Sequence, residues 1–269
     1  MAHQPNPQGL STARNILICL AANLALVSGA SLAHAVEGGE SFVEEFDELA
    51  SSRWYVSDGW SNGDHQNCTW SKDQVSAEDG VLRLGFAAQT YNDRDYVCGE
   101  VQTHARFGYG TYEVRMKAVE GSGLNSSFFT YIGPVHNQPH DEIDFEVLGK
   151  DPSKVQVNQY VDGENVGAEK LVEVPGGAAN DFNDYAFVWE EGRIAWYLNG
   201  ELVHEETDPE KLPSHASKIY LSLWGSDTLV SWMGQFEAPG EPVAAEYQRV
   251  AFTAAGDECQ FLESIVCAD

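Results

Sequence analysis

The sequence predicts an all-β protein, a curved antiparallel sandwich with a cleft on its concave sheet. Three observations carry this: repeated two-residue alternation of apolar and polar side chains, glycines placed between short β-rich runs, and three acids on alternate positions of one segment. No segment keeps a helical period beyond about two turns. There is no internal repeat, Pro/Ser linker or low-complexity tract, so a single domain is expected after the leader.

The leader comes first in the chain. Arg14 precedes an apolar run from Ile16 to Val27, too short for an ordinary membrane span, and Ala33-His34-Ala35 supplies a small-residue cleavage pattern. Residues 1–35 therefore read as a secretory signal peptide and residues 36–269 as the mature domain. The leader carries one arginine and no acid, so its removal takes the formal charge from −27 to −28. Cys19 leaves with it. The remaining Cys68, Cys98, Cys259 and Cys267 allow three disulfide connectivities in an oxidising compartment. Cys68–Cys98 with Cys259–Cys267 is favoured, since the second bond closes a short loop that ties down the C-terminus. With no C-x-x-C and no H-E-x-x-H, the cysteines are staples and no metal site is expected.

Further along, Tyr112 to Ala118 alternates strictly, as in a half-buried strand. Lys154 to Val161 alternates again, with Val155, Val157 and Val161 on one face and Gln156, Asn158 and Tyr160 on the other. Tyr185–Trp189 and Arg193–Leu198 are β-rich, and Asn199-Gly200 before Leu202–His204 is the dipeptide of a type I′ hairpin. Composition bounds the function. Against 15 Lys+Arg stand 42 Asp+Glu, which argues against nucleic acid and anionic membrane surfaces as partners. At 43% hydrophobic and 11% aromatic, the chain is too apolar for a disordered acidic tail.

The most informative segment is His140-Asp141-Glu142-Ile143-Asp144-Phe145-Glu146-Val147. As a strand it puts Ile143, Phe145 and Val147 in the core and Glu142, Asp144 and Glu146 on the opposite face. As a helix it would scatter both sets. Like charges on one strand face resist joint ionisation. Solvated acids could arise there by chance in so acidic a chain, but a site needing one ionised and one protonated carboxyl uses the arrangement. Retaining glycoside hydrolysis is such a reaction, with its two carboxyls roughly 5–5.5 Å apart. Residues four apart on a flat strand have Cα atoms about 13 Å apart, so the sheet must bend inward. Phe129 and Tyr131, Asn158 and Tyr160, and Trp224 and Trp232 offer aromatic faces and amides of the kind that hold sugars.

Several motifs resemble glycoside hydrolase family 16, whose strand signature is Glu-x-Asp-x-Glu. They include Asp58-Gly59-Trp60-Ser61-Asn62-Gly63, Asn67-Cys68-Thr69-Trp70, Phe107 to Glu113, Ser126 to Tyr131 and Val147 to Asp151. The resemblance covers residues 41–267 and is to the bacterial lichenases and to rhizobial glycanases that shorten succinoglycan. It implies a concanavalin-like jelly roll with Glu142 as nucleophile, Asp144 as assisting carboxylate and Glu146 as general acid/base. It implies a cleft contributed by Asn62, Glu100, Phe129, Tyr131, Asn158, Tyr160, Trp224 and Trp232, and it matches Cys68 with Cys98. Trp60, Gln102, His140 and Ser222 depart from the lichenase pattern, which bears on substrate preference. Gln248 stands where the family has a calcium-binding aspartate, so calcium is not expected.

The expectation is a secreted, monomeric, endo-acting retaining β-glucanase without cofactor. Its substrate would be a β-1,3-1,4-glucan or a succinoglycan-like exopolysaccharide, and it would bind neither nucleic acid nor membrane. A non-catalytic lectin-like sandwich, or the same chemistry on laminarin or a galactan, are the alternatives. The charge adds a constraint: so acidic a chain should repel an acidic polymer in dilute buffer, favouring a neutral glucan or a salty milieu.

Overall fold

The computed structural model describes residues 39–167 and 169–267. The leader and its cleavage site lie outside the described residues. Seventeen strands and one four-residue helix, Val230–Met233, are formed among those described. In chain order the strands are β1 (Phe42–Glu44), β2 (Trp54–Val56), β3 (Cys68–Trp70), β4 (Val75–Glu78), β5 (Val81–Tyr91), β6 (Arg94–Thr103), β7 (Gly110–Lys117), β8 (Leu124–Ile132) and β9 (Asp141–Leu148). They continue with β10 (Lys154–Val161), β11 (Glu164–Asn165), β12 (Lys170–Glu173), β13 (Asn183–Glu190), β14 (Arg193–Leu198), β15 (Glu201–Glu206), β16 (Lys218–Gly225) and β17 (Val243–Ala254).

Two layers result. One runs β2-β6-β16-β8-β9-β10 and carries the cleft on its concave face. The other runs β4-β5-β17-β7-β13-β14-β15, with β1 extending the β5 side of β17. β6 joins them by pairing with β5 as well as with β16. All of these pairings are antiparallel; β3 runs parallel to β6. The predicted all-β sandwich is what forms. The Asn199-Gly200 turn sits where expected, with φ of 51° and 84° at its two residues, the left-handed pair that a two-residue hairpin needs.

The core lies between the layers and is largely aromatic. Phe128 of β8 meets Phe187 of β13 with ring centroids 5.7 Å apart, and Phe145 of β9 meets Tyr185 at 5.4 Å. Each fully buried ring contributes roughly 1.5–3 kcal/mol by leaving water. Tyr247 of β17 spans the gap and presents its hydroxyl to the carbonyls of Ser127 and Ser222, at 3.0 and 3.2 Å. That fixes β8 and β16 at the point where the site is built. Both favoured disulfides are present, Cys68–Cys98 and Cys259–Cys267.

Glu113 departs from the simple alternation. It is buried rather than solvent-facing, accepting from Ser264 Oγ at 2.7 Å and Ile265 N at 3.0 Å. The C-terminal segment held by Cys259–Cys267 covers this face, a long-range contact that a local period cannot encode. Gln248 lies at a bulge in β17 and its Oε1 accepts from Arg115 Nε at 3.1 Å. An amide oxygen beside a guanidinium does not suit a divalent cation.

Candidate active site

Strand register builds the site as three rows, each containing one acid of β9. Tyr160, Glu142, Tyr131 and Lys218 face one another across β10, β9, β8 and β16. Asn158, Asp144, Phe129, Tyr220 and Gln102 form the second row, and Gln156, Glu146, Ser127, Ser222 and Glu100 the third. Because side chains alternate along a strand, these residues share the concave face while Ile143, Phe145 and Val147 fill the core. They open on a cleft of about 740 Å³.

Of the three acids on this face, Glu142 has the most hydrogen-bond partners. His140 Nε2 lies 2.6 Å from its Oε2, and the Asp144 carboxyl also hydrogen-bonds it. With Glu142 ionised, Nε2–H is the donor, and this bond raises the His140 pKa above its ordinary value. The imidazole is itself fixed, stacked on Tyr160 at 5.1 Å and edge-on to Tyr131 at 5.0 Å. Asp144 is buried at 2% exposure, and burial followed by the Glu142 and Glu146 charges holds its carboxyl well above the usual range. A protonated Asp144 donates to Glu142. Glu146 receives Asn125 Nδ2 at 2.8 Å. Burial, aided by the Glu142 charge and opposed by that hydrogen bond, pushes it up to about 8. One strand thus presents an acceptor carboxylate and, two rows away, a carboxylic acid that keeps its proton at neutral pH. That pairing can supply a nucleophile and a proton donor to one bond.

Of the residues expected in the cleft, Trp60, Asn62, Glu100, Phe129, Tyr131, His140, Tyr160, Trp224 and Trp232 all line it. Asn158 does not: it pairs with Asp144 in register and is buried at 2% exposure beneath the surface of the row. His140 does more than line the wall, since its ring is committed to Glu142. Glu100 accepts from Ser57 Oγ at 2.6 Å, and burial pushes it up to about 8. Trp232 is aimed by Nε1 donating to Gln156 Oε1 at 2.9 Å, and Trp224 lies 6.1 Å from it, centroid to centroid. The sequence reading missed Tyr220, stacked on Phe129 at 5.0 Å, and Asn125, the partner of Glu146. Tyr220 shares parity with Trp224 along β16, which could have found it. His136 and Val135 reach the cleft from a short turn at Pro134–His136, where no period gives a signal.

Residues 62–239 match the sequence profile of Glycosyl hydrolases family 16. The chain is 62% identical over 228 residues to the endo-1,3-1,4-beta-glycanase ExoK of Rhizobium meliloti, covering 85% of this chain and 84% of that protein. It is 40% identical over 243 residues to a beta-glucanase of Bacillus subtilis, covering 89% and 98%. The solved Bacillus licheniformis beta-glucanase superposes with a TM-score of 0.76 at 40% identity, over 81% of this chain and 99% of that one. Sequence profile, relatives and fold agree, and the chain belongs to glycosyl hydrolases family 16.

Proposed function

We propose that this glycoside hydrolase cleaves internal bonds of a β-1,3-1,4-linked glucan with retention of anomeric configuration. The carrying observation is the asymmetry of the acidic strand: Glu142 takes hydrogen bonds from His140 and Asp144, while Glu146 is pushed up to about 8. The relatives named above, an endo-1,3-1,4-beta-glycanase and two beta-glucanases, support that substrate class. An Oε of Glu142 attacks the anomeric carbon as the bond to the leaving sugar's oxygen breaks, and Glu146 gives that oxygen its proton. The resulting glycosyl ester is then opened by water, whose proton returns to Glu146, releasing Glu142 as a carboxylate. His140 and Asp144 fix the orientation of Glu142 and disperse its charge when it leaves. Trp60, Trp224 and Trp232 offer sugar-stacking faces, and the open cleft suits an internal stretch of polymer.

Secretion through a leader ending at Ala35, a monomeric state and a succinoglycan-like alternative polymer belong to the same proposal. Among the described residues, no helix is long and apolar enough to cross a membrane. Reducing-end release from lichenan, barley glucan, laminarin, succinoglycan and agarose, scored by product size, tests the substrate. Oligosaccharides from lichenan and barley glucan are expected. Binding without release from any polymer would instead support a lectin-like protein. Glu146→Gln is expected to cut turnover by about 10²–10⁴-fold, the range for a lost general acid, and Glu142→Gln by at least as much, with unfolding temperatures near that of the parent.

A further inference from the structure

Among the described residues every half-buried Lys or Arg has a carboxylate oxygen within 4.0 Å, with two exceptions, Arg106 and Lys218. The exceptions are neighbours. The antiparallel bridge between Phe107 and Ser217 sets the residues flanking it side by side, and Phe107 turns into the core, leaving Arg106 on the cleft face. Like charges opposed across a strand pair destabilise a sheet. With 42 acids in the chain against 15 Lys and Arg, partners are not in short supply.

Neither cation lines the cleft itself, but each is bonded to a residue that does. Lys218 Nζ donates to Gln102 Oε1 at 3.2 Å, the oxygen that also receives the Tyr220 hydroxyl. Arg106 Nη2 donates to the backbone oxygen of His136 at 3.3 Å. Gln102, Tyr220 and His136 all line the cleft. The repulsion registers on the titrating groups: burial and then Arg106 lower Lys218, while burial, Lys218 and Arg106 lower His136. Among the described residues, the buried Nδ1 of His136 has no hydrogen-bond partner. Lys218 shares the Glu142 row, two inter-strand spacings or roughly 10 Å away.

From this pair of cations beside the cleft, without a carboxylate partner among the described residues, we propose that Arg106 and Lys218 form a subsite for a carboxylate borne on the polysaccharide. The spacing from Glu142 places that carboxylate on a sugar neighbouring the one attacked. The proposal rests on the glycan-hydrolase reading and narrows its substrate class. A local positive wall in a strongly negative protein selects an acidic sugar at one position without attracting acidic polymers in general.

The test compares barley glucan with the same glucan partly oxidised at C6 to glucuronic acid. Affinity electrophoresis of the full chain at about 0.15 M ionic strength, where the Debye length is about 8 Å, reads binding without turnover. The native protein is expected to bind the oxidised glucan several-fold more tightly than the neutral one. That preference is expected to fall about tenfold in Arg106→Gln/Lys218→Met, with each single variant intermediate. Equal binding of both polymers by the native protein, a measurement needing no variant, overturns the subsite; so does a preference that survives the double substitution. Acetate at the matching carboxylate concentration abolishing the preference would reveal a general anion site and overturn the assignment to a glycan. Failure to release sugars from either polymer would instead count against the hydrolase reading and would leave these binding outcomes decisive.

Discussion

Glu146 owes its role to its surroundings more than to its identity. Four positions from Glu142 on one face, it differs in receiving Asn125 and neither His140 nor Asp144. A group with a pKa of about 8 loses its proton as pH rises through that value. The kcat/KM profile, which reports the free enzyme, is therefore expected to decline on its alkaline side near pH 8. A flat profile from pH 7 to 9 would exclude Glu146 as the proton donor. Glu100 gives a stability counterpart. Its folded pKa of about 8 lies above the ordinary 4.5, so unfolded chains release this proton at lower pH than folded ones, and stability falls between those values. Glu100→Gln removes the loss while keeping an oxygen for Ser57. It is expected to gain stability over the parent progressively from pH 4.5 to 8, reaching a few kcal/mol at about 1.4 per unit, read by denaturant titration at each pH. The three acids were legible because strand periodicity alone puts them on one face. Their division of labour was legible only through the family resemblance and not from the strand period, since it depends on Asn125 and on the ring of His140, which cross-strand register and a neighbouring turn deliver.

At the scale of elements, Asp141 anchors the start of β9. Its Oδ1 accepts from Asp162 N, and its Oδ2 from Ser214 N, His215 N and His215 Nδ1, at 2.8–3.1 Å. These bonds join the acidic strand to the turn after β10 and to the loop before β16. With His215 as a third group the cluster has the composition of a cation site, but both Asp141 oxygens are already taken by N–H donors. Asp141→Ala orphans several donors and is expected to cost about 3 kcal/mol, from buried groups at roughly 1–3 each. The loss is measurable as a lowered unfolding temperature, with a smaller fractional effect on kcat below that temperature. Unchanged stability would mean that this anchor is not what fixes β9. Strands with strong alternation were legible to within a residue or two, as at Lys154–Val161, which is β10 itself. Asn158 shows the limit: parity put it on the polar face, but the depth of the row beside Asp144 buries it. The Pro134–His136 turn contributes two wall residues whose placement comes wholly from tertiary packing.

At the scale of the whole molecule, a charge of −27 repels itself. Raising salt from about 10 mM to 150 mM shortens the Debye length from about 30 to 8 Å, so the unfolding temperature is expected to rise in calorimetry. A fall would show that the fourteen Lys/Arg–carboxylate ion pairs among the described residues dominate over net repulsion. Within that negative field the cleft combines a raised acid, a held carboxylate and aromatic walls, which is the equipment for attack from one face and proton delivery to the bond that breaks. The central claim is that Glu142 forms a covalent ester with the sugar. It is tested most directly by following the anomeric configuration of the first product from lichenan with proton NMR, before mutarotation. The β-anomer is expected first, at a rate that collapses in Glu142→Gln; initial release of the α-anomer, or β-product formed by Glu142→Gln at the parent rate, would rule out that ester.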